Sequence, residues 1–250
     1  MTLKDNRDEF DKKGFTIYEE IISKDLCDKL IKKLTSIEDF PEFKTLKPRL
    51  HFNRTEGGLI NSLHRIDEWG KDIFPEMLNN TTAHEIASSL MGGDLELFSA
   101  QAFMKPAYEG IATPPHQDNW FWCLPEYGGI TIWISLSGAS SKNGGLSYQY
   151  KNKKIKNLIE HVPSYDTPGS SWIIPSDLIG EKYWFTPELN PGDAAVHDAL
   201  VIHKSAPNTS PAPRIGFLLN YKPVRFTRNE ESFRNQQDRL LKLSDTDASK

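Results

Sequence analysis

The chain has 250 residues, of which 38% are hydrophobic, 26% charged and 11% aromatic, with a mean hydropathy of −0.53. This profile excludes a disordered or membrane-embedded protein and suits one core of ordinary size, so a single domain is expected over residues 1–250. A net charge of −4 and a pI near 6.0 exclude the clustered cationic face that nucleic-acid binding needs.

From Met1 to Phe10 the chain is charged and lacks the apolar stretch of a secretory signal, and no run approaches the ~20 apolar residues of a membrane span. Cytoplasmic residence is therefore expected, and the final Ala248-Ser249-Lys250 is no peroxisomal address. Residues 4–13 read as a short polar helix and Gly14 to Tyr18 as a strand. Ser23 stands as N-cap before Leu26, Leu30, Ile31 and Leu34, which predicts a helix over 23–37. Residues 38–60 are punctuated by Pro and Gly and read as loop, and 71–91 read as one helix ending at Gly92-Gly93. Short β-rich runs follow: Leu95 to Met104, Gly129 to Ser137, Gly145 to Tyr150, Ser171 to Ile174, Ala194 to Val196, Leu200 to His203 and Arg214 to Lys222. The basic cluster Lys151 to Lys156 reads as a solvated loop or helix start, and 229–250 as a polar, partly helical tail frayed at its end. Cys27 and Cys123 lie in no CxxC spacing and read as reduced thiols. The fold class expected is mainly β with flanking α: a sandwich or jelly roll with the N-terminal helices packed on its outside.

Chemistry concentrates in two stretches. In Thr113-Pro114-Pro115-His116-Gln117-Asp118 an imidazole and a carboxylate stand two residues apart, and on an extended segment they point to one face. Such a pair suits a borderline divalent metal such as iron, although an HxD triplet alone is weak evidence. In the second stretch, Pro191-Gly192-Asp193 turns into an apolar run that leads through Leu200, Val201 and Ile202 to His203. A histidine there could equally be a hydrogen-bonded core residue. Arg214, eleven residues on, shifts the balance, because a guanidinium fork grips a carboxylate with two hydrogen bonds.

With these residues in place, the chain resembles the phytanoyl-CoA dioxygenase family of iron(II)/2-oxoglutarate oxygenases over roughly residues 10–222. The resemblance is carried by His116-Gln117-Asp118, by the Gly192-Asp193 turn, by His203 with Ser205 two residues on, by Arg214, and by Asn143-Gly144-Gly145-Leu146, which matches an Asn-Gly-x-Leu turn. The family's next segment runs Pro-Gly-Ser-His, where this chain has Ser147-Tyr148-Gln149-Tyr150, a departure on the substrate side.

The resemblance implies a double-stranded β-helix whose open end holds Fe(II) on His116, Asp118 and His203. It implies that 2-oxoglutarate chelates the metal, that O2 takes the remaining position, and that Arg214 and Ser205 hold the distal carboxylate while Gln117, Trp133 and Gln101 line the cosubstrate pocket. Hydroxylation with release of succinate and CO2 follows, and a carboxylate at Asp118 favours it over halogenation, since related halogenases carry a small residue there. Lys105-Pro106 closes the strand before the metal loop, and Lys105 reads as a surface lysine or a contact.

Trp120, Phe121, Trp122 and Tyr127 follow the metal pair and are candidates for a substrate wall, with ordinary packing as the alternative. Asn61 and His64 are further substrate candidates, with surface polar residues as the alternative. His197 is the nearby rival to His203; the spacing to Arg214 and Ser205 favours His203, leaving His197 to support the ligands or pack its strand. His51, His84 and His161 receive no role. A cupin-type metal enzyme that does not use 2-oxoglutarate and a catalytically silent ligand-binding jelly roll are the competing readings. The expected partner is a small or medium polar metabolite, and neither nucleic acid nor membrane.

Overall fold

Two antiparallel sheets lie under a layer of N-terminal helices, and turn formers in the sequence set where each element begins and ends. The computed structural model describes residues 3–48, 50–125, 128–149, 157–163, 172–179 and 183–247, with side chains from residue 6 to residue 239. In chain order the elements are α1 (Leu3–Lys13), β1 (Phe15–Tyr18), α2 (Lys24–Thr35), β2 (Phe52–Arg54), β3 (Ile60–Leu63), α3 (Ile66–Trp69), α4 (Pro75–Leu78), α5 (Thr81–Met91) and β4 (Leu95–Lys105). After them come β5 (Thr113–His116), α6 (Asp118–Trp122), β6 (Ile130–Ser135), β7 (Leu146–Gln149), β8 (Val162–Pro163), β9 (Trp172–Ile173), α7 (Ser176–Ile179), β10 (Trp184–Phe185), β11 (Ala194–Asp198), β12 (His203–Ser205), β13 (Arg214–Pro223) and α8 (Glu230–Asp247). The larger sheet runs β1-β11-β6-β13-β4-β3-β2 and the smaller β10-β7-β12-β5, while β8 and β9 pair separately. This is a jelly roll.

Every residue of β6 is buried because both faces of the larger sheet are covered. Ile130, Ile132 and Ile134 join Leu30, Leu34, Ala83 and Ile86 in the core beneath the helices. Trp133, on the other face, packs with Tyr148 and Val201 from the smaller-sheet side. Residues directly opposite in a ladder share a face. Register therefore lays interior rows across the larger sheet: Phe15, His197, Thr131, Asn220 and Ser99 in one, and Ile17, Ala195, Trp133, Leu218 and Gln101 in the next. A third row holds Ser135, Gly216, Phe103 and Ser62, and Arg214 faces Lys105 beyond it.

Ser23 caps α2 as the sequence predicts, accepting from Leu26 N at 3.2 Å. The single helix predicted over 71–91 is divided, because the Asn80 side chain accepts from Ala83 N at 2.8 Å and starts α5 afresh. The loop predicted over 38–60 contains β2, whose pairing with β3 adds two strands to the edge of the larger sheet. Leu200 to Ile202 is not strand: the Asp198 carboxylate accepts from Leu200 N at 2.8 Å and folds the chain into a turn, so that His203 opens β12 instead of closing a strand. Tyr127, Tyr150, Ser171, the Lys151 to Lys156 cluster and the end of the tail lie outside the described residues.

Candidate metal and cosubstrate site

His116 ends β5 and His203 begins β12, and the two are direct cross-strand partners with ring centroids 4.1 Å apart. Gln117 stays extended (φ −118°, ψ 131°) before α6 starts, so the two-residue spacing delivers Asp118 to the same face as His116. Asp118 Oδ1 lies 3.5 Å from His116 Nε2 and 3.6 Å from His203 Nε2. One ligating atom from each of the three residues falls within 4.8 Å of the others.

The remaining atoms of these side chains are occupied. His116 Nδ1 donates to Pro114 O at 2.9 Å and His203 Nδ1 to Val201 O at 3.2 Å, which fixes both tautomers with the Nε2 lone pair inward. Asp118 Oδ2 lies 2.7 Å from Thr131 Oγ1 and 3.2 Å from His197 Nε2. Burial works to raise the Asp118 pKa, but His203, His116 and His197 overcome it and hold the carboxyl well below the usual carboxylate range. Burial, and then His116, push His203 well below the usual imidazole range, so it stays neutral. Two imidazoles with Nε2 turned inward and one carboxylate oxygen, converging with their outer atoms tied down, are a donor set that would fit a divalent ion of the iron type.

At the other end of the interior, Arg214 is 1% exposed. Its Nη2 donates to Gly144 O at 2.9 Å, whereas Nε and Nη1 have no partner among the described residues. Burial pushes this guanidinium down to about 9. Gly144 adopts φ +77°, and a Cβ there would meet Ala206 O at 2.5 Å, so only glycine lets the residue 144 carbonyl reach the arginine. The Trp133 ring lies 5.2 Å from the guanidinium carbon. It crosses Gly216 so closely that a Cβ there would come within 2.2 Å of the ring. Two unpaired N–H donors in a dry pocket fit a carboxylate. Buried Ser205 stands two residues from His203 on β12.

Lys105 is 2% exposed, which overturns its reading as a surface lysine. Its Nζ donates to Ile111 O and Ala206 O, both at 2.6 Å, tying the segment before β5 to the one after β12. Gln101 sits in the Trp133 row with its Oε1 3.0 Å from His64 Nδ1, and His64 Nε2 contacts Ser62 and Asn53. Gln117 points away from the metal triad: its amide bonds Leu200 O, Asn157 O and Ile159 N. Asn61 is the extra residue where the β2–β3 register skips, and it is buried. Phe121 meets the His116 ring edge-on at 5.7 Å, whereas Trp120 stacks on His161 and Trp122 packs against Phe98.

Of the histidines given no role, His161 accepts from Gln117 N at 3.1 Å and so braces the metal loop, and burial pushes it down to about 4. His51 and His84 bond Lys47 N and Leu95 O, outside the triad. Thr131 and Tyr148 were invisible to sequence reasoning, since only the cross-strand register brings them to the ligands.

A family model for phytanoyl-CoA dioxygenase matches residues 10–216. An L-proline trans-4-hydroxylase from Streptomyces griseoviridis is 26% identical over 161 residues, a match covering 57% of this chain and 60% of that relative's length. Among solved structures, EctD from S. alaskensis with 2-oxoglutarate and 5-hydroxyectoine superposes at a TM-score of 0.70, with 19% identity over 90% of this chain and 77% of that one. The epimerase SnoN in complex with Fe3+, alpha ketoglutarate and nogalamycin RO gives a TM-score of 0.69, with 16% identity over 90% and 85% of the two chains. With more than three quarters of its length matched by the family model, the chain belongs to the phytanoyl-CoA dioxygenase family.

Proposed function

We propose that this protein is a mononuclear non-haem iron(II) dioxygenase that uses 2-oxoglutarate and O2 to hydroxylate an unactivated C–H bond of a small or medium polar metabolite, releasing succinate and CO2. In this reading His116, Asp118 and His203 hold the metal, Arg214 and Ser205 hold the distal carboxylate of 2-oxoglutarate, and Trp133 and Gln101 line the space between. The observation that carries it is the pairing of two ligand-seeking groups in one interior: three donor atoms within 4.8 Å, and a buried guanidinium whose Nε and Nη1 have no partner among the described residues.

When bound, ferrous iron would let O2 act as the oxidant that breaks a C–H bond, with 2-oxoglutarate giving up two electrons as it becomes succinate and CO2. The chain's own residues prepare for it. His116 and His203, each tied through Nδ1 to a backbone carbonyl, present Nε2, and Asp118 stays ionised and supplies one oxygen. Trp133 and Leu218 keep the middle of the interior apolar and dry. Phe121, against His116, supports an apolar wall beside the open side, while Asn53, Ser62, His64 and Gln101 supply uncharged hydrogen-bonding groups for a polar substrate. The proposal further takes the chain as one cytoplasmic domain with no nucleic-acid partner; among the described residues no helix is long and apolar enough to cross a membrane.

The test is succinate formation from 2-oxoglutarate by anaerobically reconstituted protein on admission of air. It should require iron(II) and disappear in His116→Ala, Asp118→Ala and His203→Ala; full turnover in these variants would overturn the assignment. Screening metabolite pools for compounds that raise succinate output then identifies the substrate.

A further inference from the structure

His197 is 1% exposed, lies beside the triad and is not one of its three ligands. Its two ring nitrogens are both engaged: Nε2 is 3.2 Å from Asp118 Oδ2, and Nδ1 is 3.0 Å from Tyr148 Oη. Proton bookkeeping orders the chain. A carboxylate only accepts, so His197 Nε2 donates to it, and in that tautomer Nδ1 accepts from the Tyr148 hydroxyl. Tyr148 is itself fully buried, stacked on Phe15 with centroids 4.5 Å apart, and is the cross-strand partner of His203.

Resting on the metal reading above, we propose that His197 and Tyr148 are positioning residues that make Asp118 a one-oxygen ligand. Asp118 Oδ2 receives His197 from β11 and Thr131 from β6, so the larger sheet holds the outer oxygen while Oδ1 alone turns to His116 and His203. Tyr148, from the smaller sheet, locks the His197 tautomer, so the relay joins both sheets at the ligand. A carboxylate free to rotate could present both oxygens and fill a position that cosubstrate or O2 must take; two donors on Oδ2 prevent this. The row Phe15, His197, Thr131, Asn220 and Ser99 is thus the floor on which the ligand carboxylate stands.

The test needs no turnover. Apo protein is titrated anaerobically with Fe(II), and in parallel with Mn(II), by calorimetry. His197→Phe should weaken metal binding by about 10–100-fold, the range for loss of a supporting hydrogen bond to a ligand. Tyr148→Phe keeps the stack on Phe15, removes only the hydroxyl, and should weaken binding by a smaller factor. The double variant should bind no more weakly than His197→Phe, because Tyr148 acts through the imidazole. His197→Gln, which can still donate to Oδ2, should recover most of the affinity. Unchanged affinity in His197→Phe, or additive losses in the double variant, would overturn the proposal. Where His197→Phe does not fold, Tyr148→Phe with wild-type affinity, or a glutamine variant as weak as one lacking Asp118, overturns it equally. His203→Ala in the same titration separates the two claims: metal binding at wild-type strength there sinks the metal reading and the relay with it. Loss there beside an unaffected His197→Phe sinks the relay alone.

Discussion

The two ends of the interior are finished to different degrees. At the metal end every outer atom has a partner: His116 Nδ1 on Pro114 O, His203 Nδ1 on Val201 O, and Asp118 Oδ2 between Thr131 and His197. At the arginine end only one of three guanidinium nitrogens has a partner among the described residues, and the side chain is buried. The first end is set by the fold before any ligand arrives. The second carries an unsatisfied buried cation that an anion would relieve, so binding there should stabilise the protein, and removing the cation should stabilise the empty protein.

The largest expected effect follows from that contrast. Arg214→Ala should raise the KM for 2-oxoglutarate on the order of 100-fold or more, since leaving a desolvated carboxylate unpaired costs about 2–5 kcal/mol. A cupin-type enzyme that does not use 2-oxoglutarate would show no such change. Arg214→Met should also melt higher than wild type without ligand, by a few degrees, while losing the thermal shift that 2-oxoglutarate gives wild type. At the metal end the sign reverses: Asp118→Ala strands the His197 and Thr131 donors and should lower apo stability by about 1–3 kcal/mol. Scanning calorimetry of both variants breaks the comparison if the two shifts share a sign.

What the sequence discloses divides along similar lines. His116, Asp118, His203, Ser205 and Arg214 are visible because local spacing carries them, on one extended segment and on strands close together in the chain. The jelly roll is visible because its strands are short, β-rich and evenly punctuated. Thr131, Tyr148 and His161 are not visible, because their role depends on which segments the fold lays side by side, and that brings together residues far apart in the chain, as Thr131 and Asn220, 89 positions apart, are. Lys105 misleads for another reason: lysine is ordinarily exposed, and only the closure of β4 against β13 buries it. The division of the helix at Asn80 and the turn at Asp198 show side chains capturing backbone N–H groups where periodicity alone predicts continuation.

A smaller effect sharpens the same contrast from the middle of the interior. Gly216→Ala pushes against the Trp133 ring, where the new Cβ would come within 2.2 Å. It should cost about 1–3 kcal/mol as an overpacked core does. Because Trp133 lies beside Arg214 and not on the triad, the KM for 2-oxoglutarate should rise several-fold while calorimetric metal affinity holds.

The smallest effect concerns Lys105, the second basic side chain at the arginine end. Burial, and then Arg214, push its amine down to about 6. A neutral amine has two N–H donors, and two carbonyls receive them. Its folded value lies below the ordinary lysine value, so between about pH 6 and 10 the unfolded chain binds more protons and stability rises with pH. Cys27, raised to about 11, opposes this above pH 9 and Tyr221, raised to about 12, above pH 10, because there the folded state retains protons that the unfolded chain releases; Arg214, lowered to about 9, adds to the rise only as the pH nears 9. The neutral histidines contribute only below their unfolded value near pH 6.5. From pH 7 to 9 the apo protein should therefore gain about 3–5 °C per pH unit in Tm, and Lys105→Met should flatten that slope. Saturating 2-oxoglutarate should flatten it too, because a bound dianion favours the charged amine and draws the folded value back towards that of an ordinary lysine. A slope that survives in Lys105→Met would assign the pH dependence elsewhere and leave Arg214 as the lone cation answering to the anion.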